Sequence, residues 1–105
     1  NPLEDGLEIV DLVVEIHILQ AIPIEIREEA AKVLPTLLKR KGRLISIGRE
    51  ATNRTKEEIS LPWPLSRRWL MERFSSLEVV IFQPIVLEDW PDIDRYVGVW
   101  QRTSQ

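Results

Sequence analysis

Several residue types that commonly carry chemistry are scarce or absent in this sequence of 105 residues. The absence of cysteine excludes disulfides, thiolate catalysis and cysteine metal ligands, and it is typical of a reducing compartment, so we expect a cytoplasmic protein. His17 is the only histidine, and a catalytic triad would therefore need parts from another chain or segment. Together with Glu15 it offers two ligands where a catalytic zinc site usually has three, so we expect no metal.

Glycine is also scarce, and its positions exclude one kind of site. The four glycines are Gly6, Gly42, Gly48 and Gly98, and they form no GxGxxG pattern. A doubly wound nucleotide-binding domain carries that loop after its first strand. The chain therefore lacks the part of such a domain that holds a nucleotide's phosphates.

The charges and the apolar runs argue against two classes of partner. The formal net charge of -3 is mixed along the chain, and the basic run Lys39, Arg40, Lys41, Arg43 has no interleaved aromatic residue to stack bases. No apolar run approaches the ~20 residues of a membrane span. We expect neither nucleic acid nor a membrane as partner. A first residue other than methionine suggests a truncated or processed chain.

The segment DLVVEIHILQAIP, Asp11 to Pro23, carries the candidate functional residues. Apolar residues on both alternating faces predict a parallel strand from Leu12 to Leu19 that is covered on both sides. Glu15 and His17 would share one face of it, with Gln20 just beyond its end, where ligands bind in open α/β sheets. The alternatives are an ion pair from Glu15 to an arginine of a neighbouring strand and a purely structural His17.

The rest of the chain predicts one α/β domain over residues 1–105 with a partial doubly wound, Rossmann-like sheet: parallel strands plus a C-terminal antiparallel hairpin. A helix follows the first strand, with a kink or a break at Pro35 and a stop at Gly42. Its predicted apolar face comprises Ile26, Ala30, Val33, Leu34, Leu37 and Leu38. A second strand spans 43–48, a Ser66-capped helix follows a long loop, and strands at 77–88 and 95–102 form the hairpin, with Pro84 marking a bulge, edge or end.

These segments resemble the C-terminal half of a class I S-adenosylmethionine-dependent methyltransferase. Asp11 matches the acid that begins the fourth strand of that family, and Ile22-Pro23 matches the pair that follows the strand. Lys41-Gly42-Arg43 is similar to its Pro-Gly-Gly turn, although the second glycine is replaced. The segment from Leu77 to Arg102 matches its closing hairpin, so the resemblance covers nearly the whole chain.

The resemblance implies a small-molecule methyltransferase whose cofactor, S-adenosylmethionine, also needs residues upstream of Asn1, including the glycine loop. It places Glu15, Ile16 and His17 near the methionine part of the cofactor. Gln20, and Trp63 in its Pro-Trp-Pro segment, become candidate substrate-binding residues; the alternative for Trp63 is packing of the loop onto the core. No residue is assigned as catalytic, and we expect the chain alone to be inactive.

Two other interpretations stay open at this point. The segment GRLISIG also resembles part of the nucleotide-binding domain of medium-chain dehydrogenases, with a nicotinamide cofactor; a last pair of strands that is not an antiparallel hairpin would favour it. The chain could instead be a non-enzymatic module. In that case the strand beginning at Leu12 would be an unprotected sheet edge that pairs with an N-terminal half or with a second copy.

Overall fold

A mixed sheet organises the residues described by the computed structural model, which are 10–53, 55 and 64–103. The elements in chain order are β1 (Val10–Ile16), α1 (Ile18–Ala21), α2 (Ile24–Thr36), β2 (Leu38–Ala51), β3 (Leu65–Ser66), α3 (Arg67–Arg73), β4 (Glu78–Leu87) and β5 (Trp90–Gln101). The strands lie in the order β1, β2, β5, β4, and the short β3 pairs with the end of β2. β1 and β2 are parallel, whereas β5 runs antiparallel to both of its neighbours. The predicted fold class is therefore confirmed.

The core lies on one face of this sheet, beneath α2 and α3. Leu44 and Trp100 are register partners on β2 and β5, and both are fully buried. The ring of Phe74, just after α3, meets the Trp100 ring edge to face at 4.9 Å between centroids. Ala31 of α2 completes the same buried cluster. Both longer helices thus pack on the same face of the sheet.

A bidentate ion pair joins the two helices above the core. The Glu28 carboxylate of α2 accepts hydrogen bonds from both Nε and Nη2 of Arg73 at the end of α3, the latter at 2.7 Å. Trp69 Nε1 donates to the same carboxylate at 3.1 Å. The guanidinium of Arg73 also lies over the Trp69 ring. The hydrogen bond from Arg73 is the main cause that lowers the pKa of Glu28.

The predicted apolar face of the first long helix is right for Ala30 and Leu34, which pack against the core, and wrong for Ile26 and Val33. Ile26 and Val33 are about half exposed, while Arg27, Ala31 and Pro35 are buried against the sheet. Arg27 faces inward, where its Nε donates to the Leu19 carbonyl at 2.6 Å. A kink or break was predicted at Pro35, and α2 ends one residue later, at Thr36.

The start of β2 differs from its prediction as well. The strand begins at Leu38 rather than at residue 43, so the basic run belongs to a strand and not to a helix end. Gly42 is not a helix stop; the left-handed residue is Lys41, at φ 63°. A side chain at Gly42 would lie 2.8 Å from the Lys39 carbonyl, so glycine is needed there for space. The β1–β2 register shifts at this irregular stretch.

The C-terminal part follows the predictions except at one boundary, because β5 begins at Trp90 and not at residue 95. The side chain of Ser66 accepts a hydrogen bond from Trp69 N at 3.0 Å, so the predicted cap of α3 is confirmed. β4 and β5 form the predicted antiparallel hairpin. Pro84 lies on β4, which is an edge strand of the sheet among the described residues. Edge strands are where a proline does least harm, because a donor can be spared there.

Candidate functional site

The carboxyl ends of the parallel strands β1 and β2 meet a tight turn that contains the sequence-predicted residues. β1 ends at Ile16, three residues before the predicted end, because His17 adopts a left-handed conformation (φ 60°) and directs the chain into α1. His17 N donates to the Ile47 carbonyl at 2.9 Å, which continues the ladder to β2 by one bond. The predicted shared strand face of Glu15 and His17 therefore does not exist, since His17 lies beyond the strand.

Glu15 is 3% exposed, and its carboxylate stabilises this turn through two hydrogen bonds. Its Oε1 accepts a hydrogen bond from Leu19 N at 2.9 Å, and its Oε2 accepts one from Ser46 Oγ at 2.6 Å. The first bond satisfies a backbone donor of the short helix α1, and the second reaches the register partner of Glu15 on β2. The alternative of an arginine partner is thus replaced by a hydroxyl and a backbone amide. Both carboxylate oxygens are engaged inside the protein.

Ser46 also contacts a third strand, β5. Its hydroxyl lies 2.7 Å from the hydroxyl of Tyr96 on β5. Because the single proton of Ser46 is directed at Glu15, Tyr96 must be the donor to Ser46. Burial raises the pKa of the Tyr96 hydroxyl well above its ordinary value, which keeps it in the donor form. Glu15, Ser46 and Tyr96 form a buried hydrogen-bonded chain across β1, β2 and β5, which we call the three-strand network.

Gln20 anchors the other end of the turn. Its Nε2 donates to the Arg49 carbonyl at 2.5 Å, and its Oε1 accepts from Arg49 N at 3.0 Å, so the carboxamide pairs with β2 as a strand residue would. The side chain is 1% exposed and lies against Gly48, where an added Cβ would meet Gln20 Oε1 at 2.5 Å. Glycine at 48 therefore makes the pairing sterically feasible.

A second polar cluster flanks the same end of the sheet. Burial raises the pKa of Glu50, near the end of β2, while the positive charge of Arg67 opposes the shift and the charge of Asp94 adds to it. Thr52 Oγ1 donates to Asp94 Oδ2 at 2.7 Å and so ties the segment after β2 to the beginning of the hairpin strand β5. Charged groups therefore lie close together at the end of β2.

The sequence-predicted residues fall into three groups. Glu15, His17 and Gln20 come together in the turn after β1, but the side chains of Glu15 and Gln20 are directed into the protein. Ile16 is 53% exposed on the opposite side of the strand. Trp63 lies outside the described residues. Contact of any of them with a cofactor or substrate stays a prediction.

Sequence reasoning missed Ser46 and Tyr96. One signal was present: Ser46 is the only polar residue within the apolar run from Leu44 to Ile47. A polar residue inside a buried strand needs a partner, and Glu15 on the preceding strand is the nearest candidate in a parallel pairing. Tyr96 could not be identified as a partner of Ser46 from the sequence, because its position opposite β2 depends on the register of β5, a strand from the far end of the chain.

The described residues give no metal centre and no membrane helix. In this part of the chain no three His, Asp or Glu side chains are grouped so that they could hold a metal ion. Within the same residues no helix is long and apolar enough to cross a membrane.

Comparisons with known proteins identify the fold but no close relative. No protein-family model and no curated protein matches the sequence. Among solved structures, a SAM-dependent methyltransferase of Methanosarcina mazei is similar over 93% of this chain, with a TM-score of 0.72 and 13% identity. The 1,6-didemethyltoxoflavin N1-methyltransferase of Burkholderia thailandensis, solved with 1,6-didemethyltoxoflavin and S-adenosylhomocysteine, is similar over 89%, with a TM-score of 0.70 and 13% identity.

A third similar structure is the 4+2 cyclase SpnF, with a TM-score of 0.72, 9% identity and 93% of this chain covered. At such identities the likeness shows the fold alone, and the cyclase illustrates that one fold hosts more than one chemistry. The chain spans 61%, 44% and 51% of these three proteins, in the order given. It has the fold of a class I methyltransferase sheet over about half of such a protein's length.

Proposed function

We propose that this chain is the C-terminal half of an S-adenosylmethionine-dependent methyltransferase that acts on a small molecule. The observation that carries the proposal is the strand order β1, β2, β5, β4, with the last strand inserted antiparallel beside β2. This arrangement superimposes on two methyltransferases with TM-scores of 0.70 and 0.72. One of them was solved with 1,6-didemethyltoxoflavin and S-adenosylhomocysteine bound.

The fit of the cofactor to the residues present is partial. The turn after β1 offers backbone at the carboxyl end of a parallel strand, where ligands of open α/β sheets bind. The sequence contains no glycine loop for the rest of the molecule. The backbone of Glu15, Ile16 and His17 would therefore form one wall, beside the methionine part. When bound, S-adenosylmethionine supplies the methyl group from its sulfonium.

In this proposal the chain contributes to the reaction mainly by holding the bound reactants in position. Glu15 acts through the turn that it holds, because its two oxygens accept from Leu19 and Ser46. Gln20 fixes the same turn to β2, and Trp63 remains a candidate cover for the acceptor. Alignment of two bound reactants can supply much of the rate of a displacement. A base is required only where the acceptor must lose a proton, and His17, half-buried at the turn, is then the candidate.

The structure supports the two alternative interpretations to different degrees. The dehydrogenase interpretation was tied to a missing C-terminal hairpin, and the hairpin is present. The non-enzymatic module has one supporting observation: β1 is a sheet edge among the described residues, paired on one side to β2. It differs from the main proposal in requiring no cofactor.

Calorimetry with S-adenosylmethionine tests the proposal. The chain would be produced alone and also joined to the polypeptide encoded directly upstream of the Asn1 codon. We expect no binding heat from the chain alone and clear one-to-one binding by the joined protein. The variant Val33→Lys, on the outer side of α2, is the control and should bind as the wild type does. A joined protein that is folded but gives no heat with the cofactor would refute the proposal.

A further inference from the structure

Two arginines lie side by side near the carboxyl end of β2. Arg49 on β2 is the register partner of Arg95 on β5, and both side chains are half-buried. Leu44 and Trp100 are buried under the helices, so strand alternation directs Arg49 and Arg95 to the opposite face. Like charges directly opposite each other in a sheet destabilise the strand pairing. The sequence therefore tolerates a repulsive pair at the edge of the sheet where ligands bind.

Arg95 also has a hydrogen-bond donor that is left over. Its Nη1 is shielded from solvent and has no hydrogen-bond partner among the described residues. Such a donor is costly, because neither water nor protein satisfies it. Arg49 has another interaction of its own, so the unused donor belongs to Arg95. By strand alternation the nearby acids Glu50 and Asp94 lie on the helix-covered face.

The position of Arg95 favours a small-molecule ligand. Ligands of open α/β sheets bind beyond the carboxyl ends of the parallel strands, and Arg95 lies beside that end of β2. Gln20 bonds to both backbone groups of Arg49, so the turn after β1 and the arginine pair belong to one fixed edge. Arg95 is two strands away from β1, which is about 10 Å at the ordinary strand spacing. A small molecule bound at the turn can therefore reach it.

Apolar side chains adjoin Arg95 on its own face. Ile47 and Val97 are the next register pair there, and Ile85 is the partner of Arg95 on β4. All three are half-buried. Ligand pockets combine apolar walls with a few polar groups that fix orientation. The planar fork of a guanidinium matches a carboxylate, which accepts two parallel hydrogen bonds. These surroundings fit an apolar organic acid better than an inorganic anion.

We infer that Arg95 binds the carboxylate of an apolar organic acid, and that this acid is the methyl acceptor of the proposed enzyme. The inference rests on the proposed function and specifies its substrate class. The carboxylate gives Arg95 Nη1 a partner and reduces the repulsion between Arg95 and Arg49. The apolar part of the acid lies against Ile47 and Val97, on the side of the turn after β1.

Titration with phenylacetate tests the inference. The chain joined to the polypeptide encoded upstream of the Asn1 codon would be titrated by ligand-detected NMR, with and without S-adenosylhomocysteine. The neutral analogue phenylacetamide and inorganic phosphate are compared with it. We expect phenylacetate to bind, phosphate to bind more weakly and phenylacetamide not to bind. Tighter binding of phosphate than of phenylacetate would overturn the organic acid, and equal binding of phenylacetate and phenylacetamide would overturn the role of the charge.

Variants connect the binding to Arg95. Arg95→Gln should bind phenylacetate about 10- to 100-fold more weakly, because a charge-assisted hydrogen bond is lost, and Arg95→Lys should recover part of the affinity. Arg43→Gln is the matched control, since Arg43 lies on the same face at the other end of β2, and it should bind as the wild type does. Equal affinities of the wild type and Arg95→Gln would overturn the inference.

Thermal unfolding separates this role from a structural one. Arg95→Gln should be at least as stable as the wild type, because the repulsion from Arg49 is removed. A lower unfolding temperature together with no phenylacetate binding to the wild type would show that an acid of the protein itself occupies Arg95, and would overturn the inference.

These outcomes are distinguishable from the fate of the proposed function. Binding of phenylacetate that depends on Arg95, without affinity for S-adenosylmethionine, would leave the carboxylate site intact and refute the methyltransferase. Cofactor binding by a protein that does not bind phenylacetate would do the opposite.

Discussion

Removal of the Ser46 hydroxyl is the sharpest test of the three-strand network. The hydroxyl donates to Glu15 Oε2 at 2.6 Å and lies 2.7 Å from the Tyr96 hydroxyl, and all three residues are buried. Ser46→Ala leaves a carboxylate oxygen and a phenol without this partner. Each unsatisfied buried group costs about 1–3 kcal/mol, and more when charged, so we expect a loss of roughly 3–5 kcal/mol in the free energy of unfolding.

Tyr96→Phe supplies the internal comparison. It removes the outer hydroxyl only and leaves the bond from Ser46 to Glu15 in place, so its cost should be about 0.5–1.5 kcal/mol. The double variant should cost less than the sum of the two single variants, because the unpaired phenol is no longer present. Ser75→Ala, at an exposed position after α3, is the matched control and should stay within about 0.5 kcal/mol of the wild type.

Urea unfolding followed by circular dichroism measures the wild type and all four variants. Equal costs for Ser46→Ala and Tyr96→Phe would refute the reasoning, since they would mean that the bond to Glu15 adds nothing. Strict additivity in the double variant would refute the connection between Ser46 and Tyr96. A larger cost for Ser46→Ala together with non-additivity would establish the network as a unit.

Three further predictions follow from other contacts. Burial raises the pKa of Tyr96, so the folded state retains a proton that the unfolded chain releases above pH 10.0. Above that pH the free energy of unfolding should fall by ~1.4 kcal/mol per pH unit more in the wild type than in Tyr96→Phe. Ultraviolet titration of this single tyrosine should show no tyrosinate before unfolding. The pKa of Glu28 is lowered from 4.5, chiefly by Arg73, so the ion pair stabilises the fold above that pH; Glu28→Gln should destabilise the protein at neutral pH in urea unfolding, and the difference should vanish as the pH falls through the lowered pKa. Gly48→Ala should displace the Gln20 carboxamide and cost roughly 1–3 kcal/mol, but much less in a Gln20→Ala background; equal costs in the two backgrounds would show that Gln20 does not set the requirement for glycine.

Local patterns were sufficient for the C-terminal half of the fold. The hairpin of β4 and β5 was predictable because two β-rich runs flank a short acidic connection, and the cap at Ser66 because it precedes a helical period directly. Both features depend on residues close in sequence. The same holds for Pro84, whose missing donor restricts it to few positions in a sheet.

Features that depend on distant contacts were not predictable in the same way. The burial of Arg27 depends on the Leu19 carbonyl, which is presented only after His17 has turned the chain. No residue pattern around His17 signals a left-handed conformation, so the end of β1 was placed too late. The high cost of burying Glu15 was evident from the sequence, but its partners Ser46 and Tyr96 become neighbours only through strand register.

The contacts also distinguish the part of the site that this chain forms alone from the surface that it leaves exposed. Glu15, His17 and Gln20 bond to Leu19, Ser46, Ile47 and Arg49, so the polar groups of the turn after β1 have partners without a second polypeptide. The wall at the carboxyl end of β1 is therefore built before any partner arrives. The sheet face that carries Val14 and Ile81, by contrast, is about half exposed among the described residues. If the proposed function is right, binding of an N-terminal half should leave the turn unchanged, so amide exchange at Leu19 and Arg49 should be the same in the free chain and in the complex.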